Sequence, residues 1–283
     1  MAQENEQKYA GGILPEQMER FWRKVCEGSI NEAIFQAFLN NVSSFTTPRG
    51  IYYNLSESQR RAAQIMGHNF IGINLVTSAL QWKGIPVRLT EEELHRYSNI
   101  PASEDILVEV INGKWRGKKA ILWWAPPERY GLNLKELFKL FGTDIRHQPC
   151  FHKDNWWVDM DFAIESVPEG WHLSLIEIPS ETKSRSFPEQ IRLKQEYEAL
   201  CKPVELAFLS LINYMINGEY IFSYFYTRTD TELGAGYTAS VGMFGVDGFR
   251  INRTSPSLST QDTAIGLLFS MKFSDPPSKP EAN

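Results

Sequence analysis

An α+β fold follows from three observations on the sequence. Apolar residues recur at helical spacing through the first third of the chain, and the period turns extended after Pro101. From Tyr220 onward, short β-rich runs follow one another, separated by tight turns. The expected arrangement is N-terminal helices, a mixed central region, and a C-terminal, largely antiparallel sheet packed by helices. In residue terms this gives a mobile tail at 1–12, a mainly helical region at 13–100, an α+β region at 101–273 and a second mobile tail at 274–283. Both tails are polar or Pro-rich.

Taken in order, Met18, Phe21, Trp22, Val25, Ile30, Ala33, Ile34 and Phe38 repeat at helical spacing, interrupted near Gly28 and Ser29, and predict two short helices between Pro15 and Asn40. Ser56 is a good N-cap for a longer helix ending at Gly84, with Met66, Phe70, Ile73 and Leu80 on one face. Thr90 followed by Glu93 forms a capping box for a third helix ending near Tyr97. Ile106–Ile111 and Ala120–Trp124 flank the turn-rich stretch 112–119 and read as a hairpin. Asn133 with Glu136 caps a helix over Leu134–Phe141. Trp156–Ile164 and Trp171–Ile178 read as strands around a Pro-Glu-Gly turn.

Pro188–Cys201 reads as helical, and Pro203 opens a more apolar helix running to Asn217. Four strands follow at Tyr220–Arg228, Tyr237–Phe244, Phe249–Arg253 and Ile265–Phe273, adjacent in one antiparallel meander with a turn at Val246-Asp247-Gly248. Tyr226-Thr-Arg228, Val241-Gly-Met-Phe244 and Gly248-Phe-Arg250 together have the look of a defined module.

Composition narrows the functional classes. With 42% hydrophobic and 22% charged residues, the 283-residue chain falls in the ordinary globular range. Its net charge of -5 provides no global field for a polyanion, so nucleic-acid contact has to rest on a local patch. The three cysteines, Cys26, Cys150 and Cys201, are widely spaced, which argues against a disulfide framework and fits a reducing compartment. The apolar stretches at 70–80 and 204–216 fall short of the roughly 20 residues a spanning helix needs. MAQENEQKYAGG lacks the basic segment and apolar core of a signal peptide. A soluble, cytoplasmic protein with no membrane partner is expected.

Aromatic residues reach 13%, including 8 Trp, and this excess of flat ring surface is the first functional clue. Trp123-Trp124 and Trp156-Trp157 fall on expected strands, where neighbours point to opposite faces. Either helices cover both faces, or indoles such as Trp124 and Trp157 line a ligand groove. Lys114, Trp115, Arg116, Lys118 and Lys119 place four cations and a ring at the expected hairpin tip. There an indole can stack on a base while the cations meet phosphates; the plainer reading is a solubilising, edge-protecting hairpin.

Potential metal ligands are densest at His147, Cys150, His152, Asp154, Asp159 and Asp161, groups suited to zinc or another divalent ion. On a strand, Asp159 and Asp161 would share a face. That pattern resembles the paired carboxylates with which nucleotide-sugar transferases hold a divalent ion, and Glu177 could add a third. A solvated loop and strand edge produce the same residues without function.

Gly234-Ala-Gly-Tyr-Thr-Ala239 matches a dinucleotide-binding pattern literally but runs into a strand, so it reads as a hairpin connection. The serine-hydrolase, zincin, P-loop, C-x-x-C and EF-hand signatures are absent. His68, His95 and His172 read as residues with satisfied hydrogen bonds and no orienting partner nearby. The leading expectation is therefore a binding or accessory protein with an aromatic-rich sheet surface, its partner a protein, nucleic acid or small ligand. The alternative is a metal-dependent hydrolase or transferase centred on residues 147–161.

Overall fold

The computed structural model describes residues 53–255, 264–271 and 273. The helices expected between Pro15 and Asn40, the tails at 1–12 and 274–283, and Cys26 lie outside the described residues. The described residues belong to one compact unit.

Helix α1, Glu57–Met66, starts as expected with a full capping box between Ser56 and Gln59. It does not continue to Gly84. Gly67 takes a φ of +57°, the chain makes a short 3-10 turn, and Phe70–Ile71 joins the first sheet as strand β1 before α2 begins at Ile73–Trp82. A left-handed glycine and the burial of Phe70 and Ile71 against a strand outweigh the helical period.

Helix α3, Glu91–Arg96, carries the Thr90–Glu93 capping box. The expected hairpin strand at 106–111 is instead helix α4, Glu104–Ile111. Period alone could not separate strand from helix over so short an apolar run, and the N-terminus decides it. The Ser103 hydroxyl accepts from the Ile106 N–H, and Glu104 and Asp105 fill the first turn.

The first sheet runs in the order β1-β2-β3-β9-β4, with β2 at Ala120–Ala125, β3 at Gly170–Leu175, β9 at Phe269–Met271 and β4 at Glu198–Leu200. Strand β2, with all six residues buried, lies antiparallel to the central strand β3 in the register Trp123 opposite His172. Helix α5, Leu134–Phe141, is capped by Asn133 as expected. The strand expected at Trp156–Ile164 does not form. Its backbone closes local turns, Val158 N–H to Asn155 O and Met160 N–H to Trp157 O, and then a 3-10 helix at Asp161–Ile164. Helix α6, Phe187–Arg192, is shorter than the helical reading to Cys201, because Glu198–Leu200 becomes β4 at the sheet edge.

Helix α7, Pro203–Asn217, has Pro at its first position, and every residue from Pro203 through Asn213 is buried. It packs on the second sheet and on α2 and α5. Its Phe208 ring also meets Trp123 of the first sheet at 5.9 Å. The second sheet orders β7-β6-β5-β8, with β5 at Tyr226–Glu232, β6 at Thr238–Gly245, β7 at Gly248–Thr254 and β8 at Ile265–Leu267. The β5–β6 and β6–β7 pairs are antiparallel and tightly connected as expected, and residues 234–237 form the connection between β5 and β6.

Two corrections apply here. The run Ile265–Phe273 divides, β8 pairing parallel to β5 while β9, Phe269–Met271, enters the first sheet. The strand expected from Tyr220 starts only at Tyr226, after a turn. Among the described residues, no helix is long and apolar enough to cross a membrane.

Candidate functional site

A cavity of about 160 Å³ opens beside β7 and is lined by His152, Asp154, Trp156, Tyr226, Arg250, Ile251 and Asn252. Strand register explains half of it. Tyr226 lies opposite Gly242, and Gly242 opposite Arg250. Directly opposed residues share a face of a sheet, so the phenol and the guanidinium flank a position with no side chain. Across it the Arg250 charge draws on the phenol and opposes the effect of its burial. Gly242 admits no larger residue, for its φ is +147° and an added Cβ would sit 2.0 Å from the Phe225 carbonyl oxygen.

The other half comes from the segment between α5 and the 3-10 turn, which runs along the open edge of β7. Phe249 N–H donates to Cys150 O at 2.9 Å, His152 N–H donates to Phe249 O at 2.9 Å, and the Trp156 indole N–H donates to Ile251 O at 3.0 Å. These bonds cover an edge strand that would otherwise offer unpaired backbone groups. Gly248 makes the approach possible, since a Cβ there would meet Phe151 C at 2.5 Å. Trp157, buried against Phe138 and Phe151 at 5.4 and 5.7 Å between ring centres, anchors the segment from beneath.

The polar groups are mainly donors, with the Asp154 carboxylate turned to His152. The His152 Nδ1 faces Asp154 Oδ2 at 3.0 Å and the Asp154 backbone N–H at 3.3 Å. The carboxylate is both closer and charged, so Nδ1–H donating to it is the stronger arrangement. That leaves Nε2 without a partner among the described residues, an acceptor in the neutral ring and a donor in the imidazolium. The Asn252 amide oxygen accepts from Arg253 N–H at 2.8 Å, which leaves its NH₂ free to donate. Burial pushes the Tyr226 phenol above its ordinary value, and Arg250 pulls it partly back. At neutral pH Tyr226 therefore keeps its proton as a donor. Arg250 has only Asp247 at 3.7 Å as an ion-pair partner among the described residues.

Comparison with protein-family models, curated proteins and solved structures found no match. Function is then a matter of what these side chains can do.

The residues singled out on sequence grounds divide sharply. Of the ligand-rich stretch, only His152 and Asp154 meet in the cavity. His147 lies 2.9 Å from Asp144, whose carboxyl the Arg146 guanidinium holds well below the usual carboxylate range. Cys150 is buried, and burial pushes its thiol up. Asp159 is exposed, with Lys135 at 3.7 Å, and Asp161 opens the 3-10 turn. Neither stands on a strand, so the shared face expected of them does not exist. Glu177 lies 4.0 Å from Lys119. Among the described residues, no group of three His, Cys, Asp or Glu gathers as a metal would need.

The basic segment is not a hairpin tip but the link from α4 to β2. Trp115 is buried with its indole N–H on Glu198 at 2.9 Å. Arg116 forks onto both oxygens of Glu198 at 2.6 Å, reaches Glu181 at 2.9 Å and lies 4.3 Å over the Phe269 ring. Lys114 pairs with Glu109 at 3.3 Å. Lys114, Lys118 and Lys119 thus keep their charge near the surface without the ring that would make a stacking site. Trp124 and Trp157 are likewise buried rather than groove-lining. It is Trp156, the partner of Trp157, that reaches the cavity.

His172 corrects a different expectation, because an orienting partner does exist. Its Nδ1 lies 3.4 Å from Glu205 of α7, its Nε2 2.8 Å from Pro168 O, and its ring stacks on Trp123 at 4.2 Å. This is a joint between sheet and helix. Sequence reasoning missed Arg250, Tyr226 and Asn252 as site residues, although the module-like pairing of Tyr226-Thr-Arg228 with Gly248-Phe-Arg250 was their signal.

Proposed function

We propose that this chain is a binding or accessory protein that holds an oxyanion, a phosphate or carboxylate borne by a small molecule, in the His152–Tyr226–Arg250 cavity. The observation that carries this reading is convergence. A guanidinium, a phenol O–H, an amide NH₂ and an unpartnered imidazole nitrogen come from β5, β7 and the segment along the β7 edge to line one cavity. Forked guanidinium donors match oxyanion geometry, and charged hydrogen bonds are the stronger class. Support for a metal-dependent hydrolase or transferase shrinks to the single His152–Asp154 pair. Cys150 and Cys201 are both free and buried, which supports a reducing, cytoplasmic setting.

Isothermal titration with inorganic phosphate and with acetate tests the proposal. One saturable site is expected for at least one of the two anions. Arg250→Met should weaken it about tenfold or more, in keeping with the roughly 1.5–3 kcal/mol of a charged hydrogen bond. Absence of saturable heat with both anions, or an affinity indifferent to Arg250 in a variant that still folds, would sink the idea.

A further inference from the structure

We propose that the ligand is a phosphate monoester carried on a flat ring, of the mononucleotide kind, with its phosphate in the cavity and its ring on Trp156. This rests on the oxyanion reading and adds the ligand's other half. The cavity of about 160 Å³ takes an anionic headgroup but not the molecule bearing it, because whole organic ligands occupy roughly 300–1,000 Å³. The remainder must lie on the rim.

One rim is an indole that cannot swing away. Trp156 is tied through its N–H to Ile251 O at 3.0 Å. The Arg253 guanidinium backs it at 5.3 Å from the ring centre and also reaches Tyr237 at 6.0 Å. The Phe162 ring meets the indole at 6.3 Å and a tilt of 56°, so the half-buried ring is held in place, and the part of it that lines the cavity serves as a stacking platform for a flat π system. Arg253 has no carboxylate within ion-pair distance among the described residues, so the platform is also positive.

The donors favour phosphate over carboxylate. The lining groups stand on a loop and two strands rather than on one element, which suits a tetrahedral group with three terminal oxygens better than a planar group with two. Charge favours one unit over a strand. Arg250 and Arg253 share their neighbourhood with Asp154 and Asp247 on a chain of net charge -5, whereas a strand needs a positive groove that follows successive phosphates.

The test is a set of titrations of the full chain with inorganic phosphate, adenosine, adenosine monophosphate and a short single-stranded DNA. The monophosphate should bind about tenfold or more tightly than phosphate alone, the gain a stacked base brings. Trp156→Leu should bring the ratio of monophosphate to phosphate affinity down toward one, with thermal unfolding checking that the variant folds. Arg253→Met, which removes the indole's backing without touching the cavity, is the second variant and should weaken the monophosphate selectively. If phosphate binds and the monophosphate binds no better, the ring half is overturned and the oxyanion reading stands. If neither binds, the phosphate ligand is overturned, and the oxyanion reading stands or falls with the acetate titration. An oligonucleotide that binds far more tightly than the monophosphate overturns the single-unit ligand in favour of a strand.

Discussion

Arg116 and Glu198 show how far a residue's role depends on a partner that its sequence neighbourhood does not contain. Beside Lys114, Lys118 and Lys119, Arg116 looks like one more cation in a basic run, yet its side chain is 9% exposed and Glu198 is fully buried. Burial opposes the ionisation of Glu198, but hydrogen bonds from Arg116, the Gln195 backbone N–H and the Trp115 indole outweigh it and hold the carboxyl below its ordinary value. With the folded value depressed, this group's contribution is present above its unfolded value, and it is lost as pH falls through the folded one. Removing one member of a buried pair leaves the other uncompensated. Arg116→Met should therefore cost about 3–5 kcal/mol in urea unfolding at neutral pH. A cost under about 1 kcal/mol would place the pair in the class of weak surface ion pairs.

Among the elements, α7 was readable because its apolar residues are too many for a single stripe, as befits a helix covered on most sides. Leu209 lies at its centre with 1% exposure, and Leu209→Ala should lower stability by about 2–5 kcal/mol by opening a cavity. Retention of wild-type stability in chemical denaturation would show that the site collapses around the loss. Helix starts were also legible, since Ser56, Thr90 and Asn133 each accept a backbone N–H at the first turn. Short apolar runs were not. Over 106–111 a cap settled helix against strand, while over 156–164 burial of Trp157 and bonding of Trp156 to β7 turned an expected strand into successive turns.

For the whole molecule, the decisive feature is the passage of one chain segment through both sheets. Ile265–Leu267 pairs with β5, Phe269–Met271 pairs with β3 and β4, and Leu268 between them donates its N–H to the Thr227 hydroxyl at 2.9 Å. Gly266 on this segment has no room for a side chain. An added Cβ would lie 2.2 Å from Ile178 Cγ2 and 3.0 Å from the Thr182 hydroxyl, which itself bonds to Leu267 N–H. Gly266→Ala should cost about 1–3 kcal/mol through overpacking. Far-UV dichroism and tryptophan fluorescence should shift together, because both sheets share the strained segment. Separate transitions in the two signals would mean that the sheets unfold independently.

Local chemistry alone determined the α+β class, the helix caps, the buried helix after Pro203 and the tight β5–β6–β7 connections. Each is governed by residues within a few positions of one another, where period, caps and turn formers act directly. The candidate site was legible only in fragments. His152 and Asp154 stood out as ligand-type residues, and Tyr226 and Arg250 as parts of a module, but nothing along the chain joined them. Tertiary structure joined them by laying Gly242 between Tyr226 and Arg250 and by pairing Cys150 and His152 with Phe249. It also withdrew Trp115, Trp124 and Trp157 into the core, since burying an indole is favourable wherever a neighbouring element covers it, and which element does so is a matter of topology rather than of sequence spacing.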